Sequence, residues 1–299
     1  MSPLAAVLVS LRPRQWVKNL FVFAAVIFSQ NLFTSLVWRA LLAFVLFCGL
    51  SGAIYLINDV ADVEKDRLHP AKCRRPIASG ALSPRAAVAV ALLLLAASLA
   101  AAFVLSGRLG LVALGYAALL VAYSLWLKAV VIVDVLTVAT GFVLRAIAGA
   151  AAVDVDISGW LIICTILLAL FLALGKRRHE YLSLKGGAAA HRPILSEYSE
   201  GFLDQMIAVV TASTVTAYAL YTMSPETIAK FHTRWLPLTL PFVLYGIFRY
   251  LYLLYHRELG GNPSDLLLSD RALLVNTVLW MAALVTIIYG PPGWRAWAR

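Results

Sequence analysis

Apolar residues run in long unbroken stretches along this chain, separated by polar links, and polar positions do not alternate with apolar ones inside the stretches. A spanning helix needs about 20 mostly apolar residues, each adding about 1.5 Å toward a hydrocarbon core of about 30 Å. Nine stretches meet that ruler: 17–35, 37–57, 85–105, 109–127, 130–152, 159–175, 204–223, 235–256 and 271–290. Continuous Ala, Leu and Val runs exclude the alternation of membrane β-barrel strands. The pattern predicts an all-α polytopic membrane protein, a bundle of about nine transmembrane helices forming one domain over residues 1–299. Links 58–84 and 176–203 are long, whereas 106–108 and 153–158 are short turns. Residues 3–11 suit a short interfacial helix. Their apolar run precedes the first positive charge, the reverse of a cleavable signal peptide.

Composition agrees. Hydrophobic residues make up 62% and charged residues 13%, against about 45–50% and about 25% in an average soluble domain. Too little charge remains to coat a soluble body, which excludes a soluble enzyme and a secreted scaffold, and the surplus of buriable apolar surface excludes a disordered chain. The net charge of +10 does not imply nucleic acid, because the basic residues lie in the links, where topology places them. Arg39, Arg108, Lys230, Arg234, Arg295 and Arg299 fall on one side, and the 153–158 turn there carries Asp154 and Asp156. The other side collects most of the rest, from Arg12, Arg14 and Lys18 through Lys65–Arg85, Lys128 and Lys176–Arg192 to Arg249, Arg257 and Arg271. The positive-inside rule then puts the amino terminus and both long links in the cytoplasm, in a cell (inner) membrane. Cys48, Cys73 and Cys164 have neither metal spacing nor a disulfide pattern and read as small hydrophobes.

Chemistry concentrates in the long links. The first opens Asn58-Asp59-Val60-Ala61-Asp62-Val63-Glu64-Lys65-Asp66. If the second span continues as a helix, Asn58, Asp62 and Asp66 stand four apart with Asp59 on the same flank. Carboxylates gathered there would repel one another. A hard cation such as Mg²⁺ resolves the repulsion, taking one or two carboxylates and completing its shell with substrate phosphates. The basic run from Arg67 to Arg75 follows, broken by Pro70 and Pro76. For Lys72 and Arg74, topology and phosphate binding stand level, while Arg75, fixed by its proline, is the candidate phosphate reader.

Lys18, beside Asn19 at the start of the first stretch, either snorkels to the interface or meets a phosphate. Tyr123 and Lys128 close the fourth stretch, where a belt tyrosine beside a topological lysine would look the same. Asp134 and Arg145 share the fifth stretch but stand about 16 Å apart, too far for a direct pair, so each needs another partner. The second long link begins Lys176-Arg177-Arg178-His179-Glu180, with Lys176 and Glu180 on one helical face. Three adjacent cations suit a phosphate, and stop-transfer charge is the alternative. His179 alone is weak evidence for a base. Gly260-Gly261-Asn262-Pro263 reads first as a turn, with Asp265 and Asp270 nearby as possible aids to substrate binding.

These residues resemble the UbiA-type intramembrane prenyltransferase superfamily, and within it the decaprenyl-phosphate phosphoribosyltransferases. The resemblance spans the chain and is carried by LRPRQWVKN at 11–19, YLINDVADVEKDRLHP at 55–70, RRPIASG at 74–80, GFVLRAIAGA at 141–150, LGKRRHE at 174–180 and RY…GGNPSDLLLSDR over 249–271. It implies transfer of 5-phosphoribose from phosphoribosyl pyrophosphate to a polyprenyl (decaprenyl) phosphate, with Mg²⁺ as cofactor, for arabinan and cell-wall synthesis. Asn58, Asp59, Asp62 and Asp66 would hold the metal. Lys18, Asn58, Arg75, Tyr123, Lys128, Arg145, Lys176, Arg177, Arg178 and Glu180 would meet substrate phosphates. The resemblance allows a homo-oligomer such as a trimer. Ordinary superfamily members carry a second aspartate motif after the sixth span, where this chain has mostly cations. The competing readings are an aromatic prenyltransferase using a prenyl diphosphate, an anion transporter with the acids as cation-coupling sites, and a non-catalytic lipid-binding subunit.

Overall fold

The structure is a computed structural model that describes residues 2–68, 70, 72–184, 193–257 and 259–290. Lys185, Arg192, Arg295 and Arg299, used above for topology, lie outside the described residues, as do His69 and Glu258 of the quoted motifs. Every regular element among the described residues is helical.

Local signals start the helices. α1 (Pro3–Ser10) follows Ser2, whose Oγ accepts from the Ala5 N–H at 3.3 Å, with Pro3 at the first helical position. Arg12 then takes a left-handed backbone (φ 53°) and turns the chain into a 3₁₀ helix over Pro13–Val22, continued by α2 (Phe23–Phe28). There follow α3 (Leu36–Ala61), α4 (Val63–Leu68), α5 (Pro84–Leu105), α6 (Gly107–Leu125) and α7 (Val133–Val153). Ser83 caps α5 by accepting from the Ala86 N–H at 3.2 Å. Next come α8 (Gly159–Leu184), α9 (Glu200–Met223), α10 (Pro225–Phe231), α11 (Leu240–His256), α12 (Pro263–Ser269) and α13 (Arg271–Tyr289). The Ser224-Pro225 pair starts α10 as Ser83-Pro84 starts α5.

The described residues fall into two compact units. The first takes the chain up to Val26, then Asn31–Asp156, with Pro193 and Ile194; the second takes Ile27–Gln30 and otherwise Ile157 onward. In the first, Phe47, Leu50 and Ile54 of α3 pack with Leu109, Ala113 and Tyr116 of α6 and Ala148 and Ala152 of α7. Lipid tails are as apolar as these side chains, so close packing of small residues rather than escape from water joins the helices. Gly149 shows how close: a Cβ there would lie 1.9 Å from the Val22 carbonyl oxygen. α3 and α7 are the interior helices, 61% and 67% buried over their spanning windows against 17% for α5. In the second unit Tyr218, Tyr221, Phe231, Leu236, Leu284 and Ile288 form the core.

Eight helices among the described residues are long and apolar enough to cross a membrane: α3, α5 to α9, Leu236–His256 and α13. The exact number nine is therefore not reproduced. The predicted first span, 17–35, is instead the end of the 3₁₀ helix, the six residues of α2 and turns. Its hydropathy suits a span, but Asn19 is buried and tied by its side chain to α3 and α7, which holds the backbone in tighter turns. The second difference is α8, which runs past Gly175 to Leu184, so the cations expected in a loop sit on a helix.

Candidate active site

In the first unit, α3 carries the acidic motif to its end. The helix breaks at Asp62, yet the Asp62 N–H donates to the Asn58 carbonyl at 3.0 Å and the Asp66 N–H to the Asp62 carbonyl at 2.8 Å. The helical period is kept across the break, so the predicted spacing holds into α4. Asp59 and Asp66 are buried, with side chains 2% and 4% exposed. One nitrogen meets both: Arg75 Nη1 lies 3.0 Å from Asp59 Oδ1 and 2.6 Å from Asp66 Oδ2. Arg12 Nη2 donates to the same Asp59 Oδ1 at 2.5 Å, with its guanidinium 4.8 Å from the centroid of the Tyr55 ring. Asp62 is held apart from that group by Lys128, whose Nζ is 3.2 and 3.3 Å from its two oxygens.

The cations are placed by loops. Pro76 follows Arg75, Ile77 is buried, and the Ser79 N–H donates to the Arg75 carbonyl at 2.8 Å. Gly80 closes this turn at φ 82°. Lys128 lies in a single 3₁₀ turn before α7. The link then passes through Ile132 at φ 68°, where the Val133 N–H bonds the Val131 carbonyl at 2.8 Å. That is a γ-turn on a β-branched residue, a strained conformation. Lys18 and Tyr123 are half-buried, on the 3₁₀ segment and the end of α6, and Asn58 is half-buried at the end of α3.

Arg145 is 5% exposed on α7. It donates to Asn19 Oδ1 at 2.7 Å, to the Gly141 carbonyl at 2.9 Å and to the Tyr116 hydroxyl at 2.6 Å. Its guanidinium lies 4.9 Å from the Tyr116 ring centroid and 5.0 Å from that of Phe142. As the spacing required, it bonds partners other than Asp134, which is buried in the first turn of α7.

The second unit carries the cationic stretch on the last turns of α8. Arg177 and Arg178 are buried. Arg177 Nη1 donates to Glu180 Oε2 at 2.5 Å, and Lys176 Nζ lies 3.6 Å from Glu180 Oε1 with its side chain 46% exposed. Arg178 reaches α9, with Nε 2.6 Å from Asp204 Oδ1 and Nη2 3.3 Å from Glu200 Oε1, and stacks 4.1 Å from the Tyr255 ring centroid. His179 Nδ1 accepts from the Gly260 N–H at 3.3 Å, so its role here is to hold the Gly-Gly turn. Asp265 accepts from Asn262 at 2.6 Å within the next turn. Asp270 caps α13 through the Leu273 N–H at 2.8 Å and pairs with Arg249 at 2.7 and 3.2 Å. The Arg249 bonds hold its carboxyl below the usual carboxylate range.

Sequence reading missed Arg12, Asn19, Tyr116, Glu200 and Asp204 as partners. Only the last two left a signal, two acids four residues apart at the start of a helix.

The UbiA prenyltransferase family model matches residues 19–269. The chain belongs to the UbiA prenyltransferase family. It is 33% identical to the decaprenyl-phosphate phosphoribosyltransferase of Mycolicibacterium smegmatis, over 94% of this chain and 91% of that one. It is also 33% identical to the enzyme of that name from Corynebacterium glutamicum, over 95% and 86%. Among solved structures, a UbiA homologue from Archaeoglobus fulgidus bound to DMAPP and Mg²⁺ superposes with a TM-score of 0.70 at 21% identity, covering 95% of this chain and 99% of that one. A UbiA homologue from Aeropyrum pernix gives 0.66 at 18% identity, covering 92% and 98%. This UbiA-family chain is thus a multi-pass membrane transferase.

Family membership raises the question of a divalent ion. Among the described residues no three acidic, His or Cys side chains gather closely enough to hold a metal by themselves. Mg²⁺ commonly uses one or two carboxylates, leaving the rest of its shell to water and phosphate. Asp59 and Asp66, hard oxygen donors converging on one cationic nitrogen, fit that requirement.

Proposed function

We propose that this protein transfers 5-phosphoribose from phosphoribosyl pyrophosphate to a polyprenyl phosphate of the decaprenyl class, releasing pyrophosphate, at the cytoplasmic face of the cell membrane. The observation that carries this reading is the 33% identity to decaprenyl-phosphate phosphoribosyltransferases along nearly the whole of both chains. The charge arrangement supports it, because both substrates are phosphate anions and this chain supplies cations beside buried acids.

Asp59 and Asp66 would hold Mg²⁺ on the donor, with Asn58 and Asp62 next along the same helical face. When bound, the ion offsets the charge that develops on the departing pyrophosphate. Arg75 and Lys128 would bind donor phosphate oxygens and orient C1. The lipid phosphate is already an anion near neutral pH, so the chain need provide no general base; it must hold two repelling anions in line. Lys176, the exposed cation of its stretch, would contact a substrate phosphate, with Arg177, Glu180 and Arg178 fixing that turn. Lys18 and Tyr123 would contribute further polar contacts. Arg145 would act by holding Asn19, and with it the segment that bears Lys18 and Arg12. Residues 1–299 would work as one transferase domain, with the amino terminus cytoplasmic.

The test is mass spectrometry of lipid products from purified protein given phosphoribosyl pyrophosphate, Mg²⁺ and decaprenyl phosphate. A phosphoribosylated lipid is expected. Product from a prenyl diphosphate and an aromatic acceptor, with none from phosphoribosyl pyrophosphate, would overturn the reading.

A further inference from the structure

We infer that Arg75 is an exchangeable counter-ion: it bridges Asp59 and Asp66, yields those oxygens to a divalent cation, and moves onto the donor's pyrophosphate, so that metal and donor bind as a pair. This rests on the metal site proposed above and adds how the site is loaded. The geometry is one nitrogen on two carboxylates, at 3.0 and 2.6 Å. A divalent ion shared by the same oxygens needs the same space, so the two cations compete.

Burial decides which group moves. Asp59 and Asp66 are 2% and 4% exposed, whereas the Arg75 side chain is 25% exposed and has a route outward. Its backbone is fixed by Pro76, the buried Ile77 and the Ser79 bond, so the motion is confined to its side-chain torsions. Two buried carboxylates with too little positive charge would repel one another without hydration, so the guanidinium leaves only as another cation enters. Once released, its planar fork suits a phosphate better than a carboxylate it has just given up to a metal. Arg12 is as exposed as Arg75 but is also held over the Tyr55 ring, so in this scheme it keeps Asp59 and preserves one organic cation at the site. By linkage, whatever factor the donor adds to metal affinity, the metal adds to donor affinity.

The experiment titrates the full chain in lipid nanodiscs with Mn²⁺, following free Mn²⁺ by electron paramagnetic resonance, with and without phosphoribosyl pyrophosphate. Free donor–metal complex is corrected with a protein-free control. Wild type is expected to bind Mn²⁺ about tenfold more tightly with donor present. Arg75→Gln should bind Mn²⁺ alone about tenfold more tightly than wild type and gain less from the donor. A merely structural arginine would lower metal affinity when removed, so the sign separates the two roles. Arg75→Lys, which keeps charge but loses the fork, should shift the same way by a smaller factor and carries the test if the glutamine variant fails to fold. Variants that bind Mn²⁺ no more tightly than wild type would overturn the exchange and leave the metal site standing. Absence of Mn²⁺ binding in wild type even with donor would overturn the metal site, and the exchange with it.

Discussion

The two charged regions are inverses of each other. At the end of α3 the buried groups are acids, Asp59 and Asp66, and the cations Arg12 and Arg75 are 27% and 25% exposed. At the end of α8 the buried groups are cations, Arg177 and Arg178 at 4% and 8%, and their partners Glu180, Glu200 and Asp204 are 24 to 39% exposed. Leaving a buried charge unpaired costs more than exchanging one counter-ion for another. Under the proposed function the first region would trade one cation for another, while in the second the buried arginines would stay paired and the exposed Lys176 would meet a phosphate. Burial thus separates a region whose acids are sheltered from one whose cations are.

The most severe test of that division is Asp66→Asn, which removes one of the two converging oxygens. Transfer should fall at least about a hundredfold, and metal dependence should move to higher concentration, with folding retained by circular dichroism; near-normal turnover at ordinary Mg²⁺ would break the comparison. Next in size is a paired experiment on α8. Arg178→Ala should lower the melting temperature modestly, an effect of about 1 kcal/mol because the acids it leaves are solvent-screened. Lys176→Ala should leave melting unchanged and raise KM for one phosphorylated substrate about tenfold, or about 1.4 kcal/mol. If the two variants behave alike, the split between a positioning and a contacting cation is lost.

A smaller effect comes from Asp270, whose folded carboxyl titrates below its ordinary value of 3.8 because Arg249 favours the charged form. Such a group contributes stability in full above 3.8, and loses it as pH falls through the lower folded value. Melting curves of wild type and Asp270→Asn should differ by a constant amount near neutrality and converge in acid. Persistence of the gap at low pH would mean that the stability does not come from the charged carboxyl paired with Arg249. Smallest is Ile132→Gly. Relief of the positive φ at about 1–3 kcal/mol outweighs the added chain entropy of about 0.5–1 kcal/mol, so the melting temperature should rise slightly. Because the turn presents Lys128, KM should rise as stability rises.

Much of this was legible in the chain. Hydropathy located every long helix, because length and apolar composition are local properties. The same ruler does not foresee the backbone of 17–35, a 3₁₀ segment, the six residues of α2 and turns, with Asn19 bonded to α3 and α7. The apolar stretch ends at Gly175, but α8 continues through the cations, with Arg178 paired to an acid on α9. The acidic face was readable since a helical period survives the break at Asp62. Its cations were half readable: Arg75 was marked by its proline, whereas Arg12 looked topological because its partner is 47 residues away. The sequence shows that Arg145 needs a partner, but Asn19 and Tyr116 carry no pattern that could name them.

The segment Pro13–Val22 has a consequence of its own. Wound at about 2.0 Å per residue, its ten residues travel about 20 Å, where an α-helix of that length would reach about 15 Å. It behaves as a slender strut between Gly149, against which Val22 is wedged, and the anchorage of Arg12 on Asp59. A single inserted or deleted residue would slide one anchor by a full 2.0 Å or so and turn it by about a third of a revolution. Strut length is thus a dimension of the acidic site, set by a stretch that contributes none of its carboxylates.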